Sequence, residues 1–134
     1  MLARALTHAL VGLEPRRVEV EAHLQGGIPG FAIVGLADRA CQEAKERVRS
    51  SIASAELEWP KRKRITVNLA PAELRKEGSA FDLPIALAVL AASYQFPAER
   101  LYTHAAVGEL ALDGRVRRVG GVLAVAEGAR RAGL

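Results

Sequence analysis

Side chains that could bind a metal or act as nucleophiles are few and scattered along this chain. A metal site needs clustered ligands, but the three histidines, His8, His23 and His104, are far apart in the sequence. The only cysteine, Cys41, falls on the apolar face of a predicted helix. His8 and His23 could become neighbours if their predicted strands pair, which would supply two ligands at most. We therefore predict no metal site.

The sequence also lacks the short motifs that bind nucleotides or build a serine nucleophile. A phosphate-binding loop reads Gly-x-x-x-x-Gly-Lys-Ser/Thr, a dinucleotide site reads Gly-x-Gly-x-x-Gly, and a nucleophile elbow reads Gly-x-Ser-x-Gly. None of these strings occurs. The glycine pairs at 26–27 and 120–121 are typical of a turn and a helix start. We therefore expect no cofactor in this chain.

Positive charge is the clearest functional signal, since the net charge is +4 and the isoelectric point about 9.7. The run from Lys61 to Arg64 could contact nucleic-acid phosphates, or it could be a solvated loop. Arg115, Arg117 and Arg118 form a second candidate patch, with the wet face of a hairpin as the alternative. The candidate phosphate-binding residues are Lys61, Arg62, Lys63, Arg64, Arg115, Arg117 and Arg118.

Two further polar positions have competing interpretations. Arg75, Lys76 and Glu77 lie in a predicted exposed loop, which could form an interface or be a plain connection. Asp82 precedes a long apolar run, and an aspartate there favours a helix cap or a helix-dipole partner over an acid catalyst.

Length and composition predict one domain. The chain has 134 residues, of which 50% are hydrophobic and only 4% aromatic, so its core must be aliphatic. One cysteine excludes an internal disulfide and is consistent with a reducing compartment. No apolar stretch reaches the roughly 18 residues of a membrane span, and the N-terminus does not resemble a signal peptide. The expectation is a cytoplasmic protein without membrane contact.

Hydrophobic spacing predicts an α/β architecture with a mixed sheet and about three helices. Strict alternation over residues 17–25 is typical of a half-solvated strand, paired with the loosely alternating residues 2–11. Asp38 is positioned to cap a helix that extends to about Ala55, and Pro84 suits the first turn of a buried helix. The further predictions are strands at 31–36, 65–69, 105–112 and 115–119, and helices at 82–92 and 122–131.

Three strings, Gly30–Leu36, Ile65–Ala72 and Arg75–Ala86, together resemble the N-terminal domain of the ComM/YifB family of magnesium-chelatase-like proteins. The resemblance covers essentially the whole chain, 1–134. It implies an AAA+ ATPase module downstream of this chain, with ATP and magnesium bound there, and assembly into a homo-hexamer. It also implies a parent protein that acts on DNA as a helicase promoting branch migration during natural transformation.

The chain further resembles the proteolytic domain of Lon, which shares the fold of the second domain of ribosomal protein S-five. Lys76–Ala80 and Val107–Gly121 are similar to the two Lon strings around its catalytic serine and lysine. Aligned without gaps, the serine falls on Ala80 and the lysine on Leu123, and neither side chain can do that chemistry. A one-residue shift to Ser79 leaves a serine peptidase as the alternative.

These observations predict a non-catalytic accessory domain of a ComM-type ATPase, whose role would be DNA contact, ring assembly or gating. A purely structural assembly domain without DNA contact is the remaining alternative. We expect no enzymatic activity from this chain alone, whereas its parent protein would be an ATPase.

Overall fold

The computed structural model describes residues 1–134 and begins with a long hairpin. Strand β1 (Leu2–Val11) pairs antiparallel with β2 (Glu14–Gln25), as predicted. The turn between them contains Gly12 at a φ of 64°, a left-handed conformation that glycine adopts without a steric penalty. In register, His8 lies opposite Arg17 and His23 opposite Leu2. His8 and His23 are therefore not neighbours, although their strands do pair.

Two more strands complete a mixed four-stranded sheet of order β1-β2-β4-β3. Strand β3 (Gly30–Val34) runs parallel to β4 (Arg64–Ala70), which is antiparallel to β2. β3 ends two residues before the predicted Leu36, because Gly35 has a φ of 110° and Leu36 a φ of 61°.

The crossover from β3 to β4 is helical. Asp38 caps its start by accepting a hydrogen bond from the Cys41 backbone N–H at 2.7 Å, as predicted. A short helix α1 (Arg39–Gln42) is followed at once by α2 (Ala44–Ser54). Parallel strands require such a crossover, which places α2 against the sheet.

Helix α3 (Asp82–Ala92) fills the centre of the domain and matches the predicted bounds. It packs against β1 and β2, and nearly all of its residues are buried. The sheet face beneath it carries the aliphatic residues of the alternating pattern. The opposite face is polar: Glu21 accepts hydrogen bonds from Arg4 and Asn68, each at 2.9 Å. This is the half-solvated sheet that the alternation predicted.

The C-terminal third departs most from the prediction. After a 3₁₀ helix (Ala98–Thr103), the predicted strand over 105–112 is reduced to a bridge between Ala105 and Leu6 and to β5 (Glu109–Leu110). Its return strand is only β6 (Val116–Arg117), and helix α4 (Val122–Arg131) follows as predicted. The long strand is interrupted because the backbone of Gly108 forms hydrogen bonds with the start of α3. The Gly108 N–H donates to the Ala80 carbonyl, and the Gly108 carbonyl accepts from the Leu83 N–H.

None of the helices combines the length and apolar character needed to cross a membrane.

Candidate functional site

The basic segment Lys61–Arg64 lies where the chain enters β4, at the beginning of the strand that β3 flanks. Lys61, Arg62 and Arg64 are exposed and Lys63 is half-buried. No carboxylate lies within ion-pair distance of any of the four. Their positive charge is therefore not offset by an acidic neighbour.

An aromatic pair adjoins this basic segment. The rings of Phe31 and Trp59 are 5.1 Å apart between centroids, and both side chains are half-buried. The exposed guanidinium of Arg49 lies 6.0 Å from the Trp59 ring centroid, within the range of a cation–π contact. The sequence interpretation missed these residues, although Trp59 lies only two positions before Lys61. We define Arg49, Trp59 and Lys61–Arg64 as the basic surface.

The second candidate patch is mostly neutralised. Arg115 pairs with Asp113 at 2.9 Å, and Arg117 lies 3.9 Å from Glu109. Arg118 is exposed and has no acidic partner. Both pairs are largely exposed, so solvent screens them. This patch offers a phosphate backbone less uncompensated charge than the basic surface does.

Lys76 is not the exposed interface residue that we expected, because its side chain is completely buried. Its Nζ donates hydrogen bonds to the carbonyl of Gly35, at 2.8 Å, and to that of Pro71. Burial lowers the pKa of Lys76. The backbone of Lys76 also bonds to Leu36 and Asp38, so the residue ties three segments together.

The flanking residues of that loop do lie at the surface. Arg75 and Glu77 are both exposed and pair with each other, with 3.2 Å between Nε and Oε1. Their charges are therefore matched within the loop.

Asp82 does not cap a helix through its side chain. It lies in the first turn of α3, fully buried, and receives bonds from Arg47 Nε at 2.6 Å, from Arg47 Nη2 at 3.1 Å and from the Leu110 N–H at 3.0 Å. Burial raises the pKa of Asp82, and the hydrogen bond from Arg47 opposes that rise. The carboxylate therefore fixes α2 and β5 onto α3, and its contacts are structural.

The two positions matched to the peptidase dyad do not both reach one cavity. A cavity of about 570 Å³ is lined by Ala80 and by Gly120 and Gly121. Leu123 is 86% exposed and is not among the residues that line it. The adjacent Ser79 donates its hydroxyl hydrogen bond to Glu109.

His8 borders the same cavity from β1. The residue is only 6% exposed, and its Nδ1 is buried without a hydrogen-bond partner. Burial, with a smaller contribution from Arg17, lowers its pKa, so the imidazole is neutral near pH 7.

The thiol of Cys41 is buried, and burial raises its pKa to about 12. A thiol with that pKa is protonated at neutral pH and therefore a poor nucleophile. No group of three or more His, Cys, Asp or Glu side chains is arranged to hold a metal ion.

Residues 20–134 match the family model described as subunit ChlI of Mg-chelatase. The chain belongs to this family. It is 47% identical to YifB of Salmonella typhimurium over 132 residues, and the aligned region covers 98% of the chain and 26% of that protein. It is 49% identical over 122 residues to competence protein ComM of Haemophilus influenzae, covering 91% of the chain and 24% of ComM.

An uncharacterised protein of Mycobacterium bovis is 46% identical over 132 residues, covering 98% of the chain and 26% of that relative. The chain thus spans about a quarter of the length of the curated relatives that it matches. The expected likeness to ComM and YifB is confirmed.

Proposed function

We propose that this ChlI-family chain is a non-catalytic accessory domain that contacts the DNA backbone through its basic surface. The observation that carries the proposal is the segment Lys61–Arg64, whose four cations have no acidic partner. The likeness to a protein named competence protein ComM supports DNA as the polyanion.

The composition of the basic surface fits nucleic acid better than a general anion. Consecutive lysines and arginines can each displace a counterion from a phosphate chain, and this release drives sequence-independent binding. An aromatic ring beside such cations can stack on unpaired bases, which contributes about 1–3 kcal/mol per base. Trp59, half-buried beside Arg49, is in a position to add that contact.

The test is the salt dependence of duplex DNA binding, measured by fluorescence anisotropy from 50 to 200 mM salt. The slope of log K against log salt is negative for such binding. In a variant with Lys61, Arg62 and Lys63 changed to Ala, its magnitude should decrease by about 2.7, since each duplex phosphate contact contributes about 0.9. The matched control changes Arg115, Arg117 and Arg118 to Ala, which removes the same formal charge.

The control should change the slope much less, because Arg115 and Arg117 already have acidic partners. Equal changes in the two variants would mean that only net charge matters, and the assignment to Lys61–Arg64 would fail. A salt slope that neither variant changed would also contradict the assignment to the basic surface. If the parent chain did not bind DNA even at 50 mM salt, the purely structural assembly domain would be the better description.

For the longer protein we propose a ComM-type AAA+ ATPase that acts on DNA during recombination, with this chain as one part of a homo-hexamer in the cytoplasm. ATP and magnesium would bind in the ATPase module and not in this chain. The basis is the likeness to ComM and the small share of the relatives that the chain spans. ATP-dependent branch migration by the full-length protein, and its loss in the triple-alanine variant of the basic surface, is the corresponding assay.

We also propose that the chain has a Lon-like fold without peptidase activity. Ala80 occupies the position matched to the serine, and Lys76 is engaged by the carbonyls of Gly35 and Pro71. The Ser79 hydroxyl is bonded to Glu109, which also lies near Arg117. Casein cleavage that disappeared in Ser79→Ala would contradict this proposal and support the divergent peptidase.

A further inference from the structure

The outer edge of β1 has backbone groups without partners. β1 is an edge strand, and along it alternate residues direct their N–H and C=O toward β2 or away from it. The backbone N–H and C=O of Leu6 point away from β2, because the Leu6 carbonyl accepts a hydrogen bond from the Ala106 N–H at 2.8 Å. The β1–β2 register is unbroken over the whole hairpin. The backbone N–H and C=O groups of His8 and Leu10 therefore also point away from β2.

The position of Pro15 agrees with this assignment. Pro15 lies directly opposite Leu10 in the register. Proline has no N–H to donate, so it suits a pair that exchanges no hydrogen bonds. The backbone of Leu10 is thus directed to the outer side of the sheet.

Helix α4 lies close to the side chains of His8 and Leu10, at Gly128 and at its N-cap Gly121, but it forms no hydrogen bond with their backbone groups. Ala105 and Ala106 form a short bridge with Leu6, but the chain then turns away from β1, and the Gly108 N–H donates a hydrogen bond to the Ala80 carbonyl. No backbone hydrogen bond from outside the hairpin reaches the N–H or C=O of His8 or Leu10. An edge of this kind is a template for another extended chain.

This open edge borders the cavity of about 570 Å³ described above. The cavity is lined largely by apolar side chains, and the charges of Arg75 and Glu77 at its border are matched by their ion pair. The only buried side-chain polar atom without a partner in the chain, Nδ1 of His8, belongs to a residue of this lining. The apolar residues that face the cavity from the other segments are Leu74, Phe81, Val107 and Val125.

We propose that this cavity binds an extended, uncharged segment of another polypeptide, which adds a strand to the outer edge of β1. Alternating N–H and C=O groups at strand spacing are matched by the backbone of a second extended chain. Alternate side chains of that segment would pack against the apolar lining. Because Arg75 and Glu77 pair with each other, the cavity border offers no unpaired charge that would favour a charged segment over an uncharged one. Of the cavity-lining residues 8–12, the four up to Val11 belong to β1, which corresponds to about 13 Å of strand, a length that a segment of about five residues spans.

The direct test is amide hydrogen exchange of the ¹⁵N-labelled chain, with and without a blocked pentapeptide of alternating valine and threonine. Saturating peptide should slow exchange of the His8 and Leu10 amides at least tenfold, because both gain acceptors. Two further peptides carry N-methyl groups on alternate amides, one set on odd positions and the other on even positions. One of them should lose binding and the other keep it, since only one set of amides can face β1.

Two variants test the site from its opposite sides. Leu10→Pro removes one outward N–H without removing a β1–β2 hydrogen bond, which an edge strand tolerates. Ala80→Trp fills the cavity from the start of α3 and leaves β1 unchanged. Each should weaken peptide binding at least tenfold. The control Leu13→Ser removes a side chain that is 95% exposed at the hairpin tip and outside the cavity lining, and it should bind as the parent chain does.

Three results would overturn the proposal. The first is equal binding of both N-methylated peptides, because the backbone would then not be recognised. The second is unchanged binding in folded Leu10→Pro and Ala80→Trp variants. The third is protection of His8 and Leu10 in the peptide-free chain that disappears on dilution, because a second copy would then occupy the edge.

Discussion

The pair between Arg47 and Asp82 provides the sharpest test of how this domain is held together. The Asp82 side chain is fully buried, and the Arg47 side chain is 20% exposed. Arg47 supplies two of the three hydrogen bonds that the carboxylate receives, and Nη2 also donates to the Ala40 carbonyl at 3.1 Å. Replacing Arg47 with Met keeps much of the packing but leaves the carboxylate with only the Leu110 N–H.

We expect Arg47→Met to lower the free energy of unfolding by about 3–5 kcal/mol, the usual cost of leaving one buried partner of an ion pair unmatched. This is a large share of the roughly 5–15 kcal/mol that stabilises a typical domain. Urea unfolding followed by circular dichroism measures the change. Arg49→Met is the control, since it makes the same substitution on the exposed side of α2, and it should cost no more than about 1 kcal/mol.

The pH dependence separates the charge effect from lost packing. Burial already raises the pKa of Asp82 above its unfolded value, so protonation of this carboxyl favours the folded state. Without Arg47 that pKa should rise further, because the hydrogen bond that opposes burial is gone. The stability difference between Arg47→Met and the parent should be smallest below about pH 4, where the carboxyl is neutral in both states, and should grow as the pH rises.

The double variant Arg47→Met/Asp82→Asn supplies the refuting result. Removing the charge of the unpaired carboxylate should restore part of the lost stability at pH 7. If the double variant is no more stable than Arg47→Met, and if the loss does not depend on pH, the pair acts through packing alone and the electrostatic reasoning is wrong.

Two further predictions concern the segments that Lys76 joins. Lys76→Met should cost about 1–3 kcal/mol, because the carbonyls of Gly35 and Pro71 lose their donor. Since burial lowers the folded pKa of Lys76, the stability of the parent should rise relative to that of Lys76→Met as the pH increases toward about 10.5, measured by urea unfolding. Gly35→Ala should cost more than about 3 kcal/mol, because φ is 110° and the new Cβ would lie 2.2 Å from the Leu69 carbonyl oxygen. The control Gly26→Ala, in which the new Cβ meets nothing within 4 Å and φ is not positive, should be nearly neutral in the same urea unfolding measurements.

Local spacing predicted the elements whose burial follows a regular period. β2 was predictable because one face of the sheet is exposed to solvent, so buried and exposed residues alternate along the strand. α3 was predictable because its apolar run begins with Pro84 in the first turn and is long enough for a buried helix. The strand over 105–112 has a suitable composition, but Gly108 bonds to Ala80 at the start of α3. A contact made by a distant segment is not visible in local periodicity.

Charged residues were placed least well, and for the same reason. A lysine in a charged loop is usually solvated, but Lys76 is buried because carbonyls at Gly35 and Pro71 converge on its Nζ. Those carbonyls lie 41 and 5 positions away in the chain. Arg47 and Asp82 are 35 positions apart, so their pairing depends on how α2 and α3 pack. The run Lys61–Arg64 was correctly placed at the surface because four consecutive cations cannot all be satisfied inside a small domain.

The two proposed surfaces lie in different parts of the sheet, and this makes the proposals separable. The basic segment begins β4, which β2 and β3 flank, whereas the cavity borders the outer edge of β1. The triple alanine variant of Lys61–Lys63 should therefore leave peptide protection of His8 and Leu10 unchanged. In turn, Leu10→Pro should leave the salt slope of DNA binding unchanged. Loss of both activities in either variant would show that one surface serves both ligands or that the substitution unfolds the chain, and circular dichroism distinguishes these two outcomes.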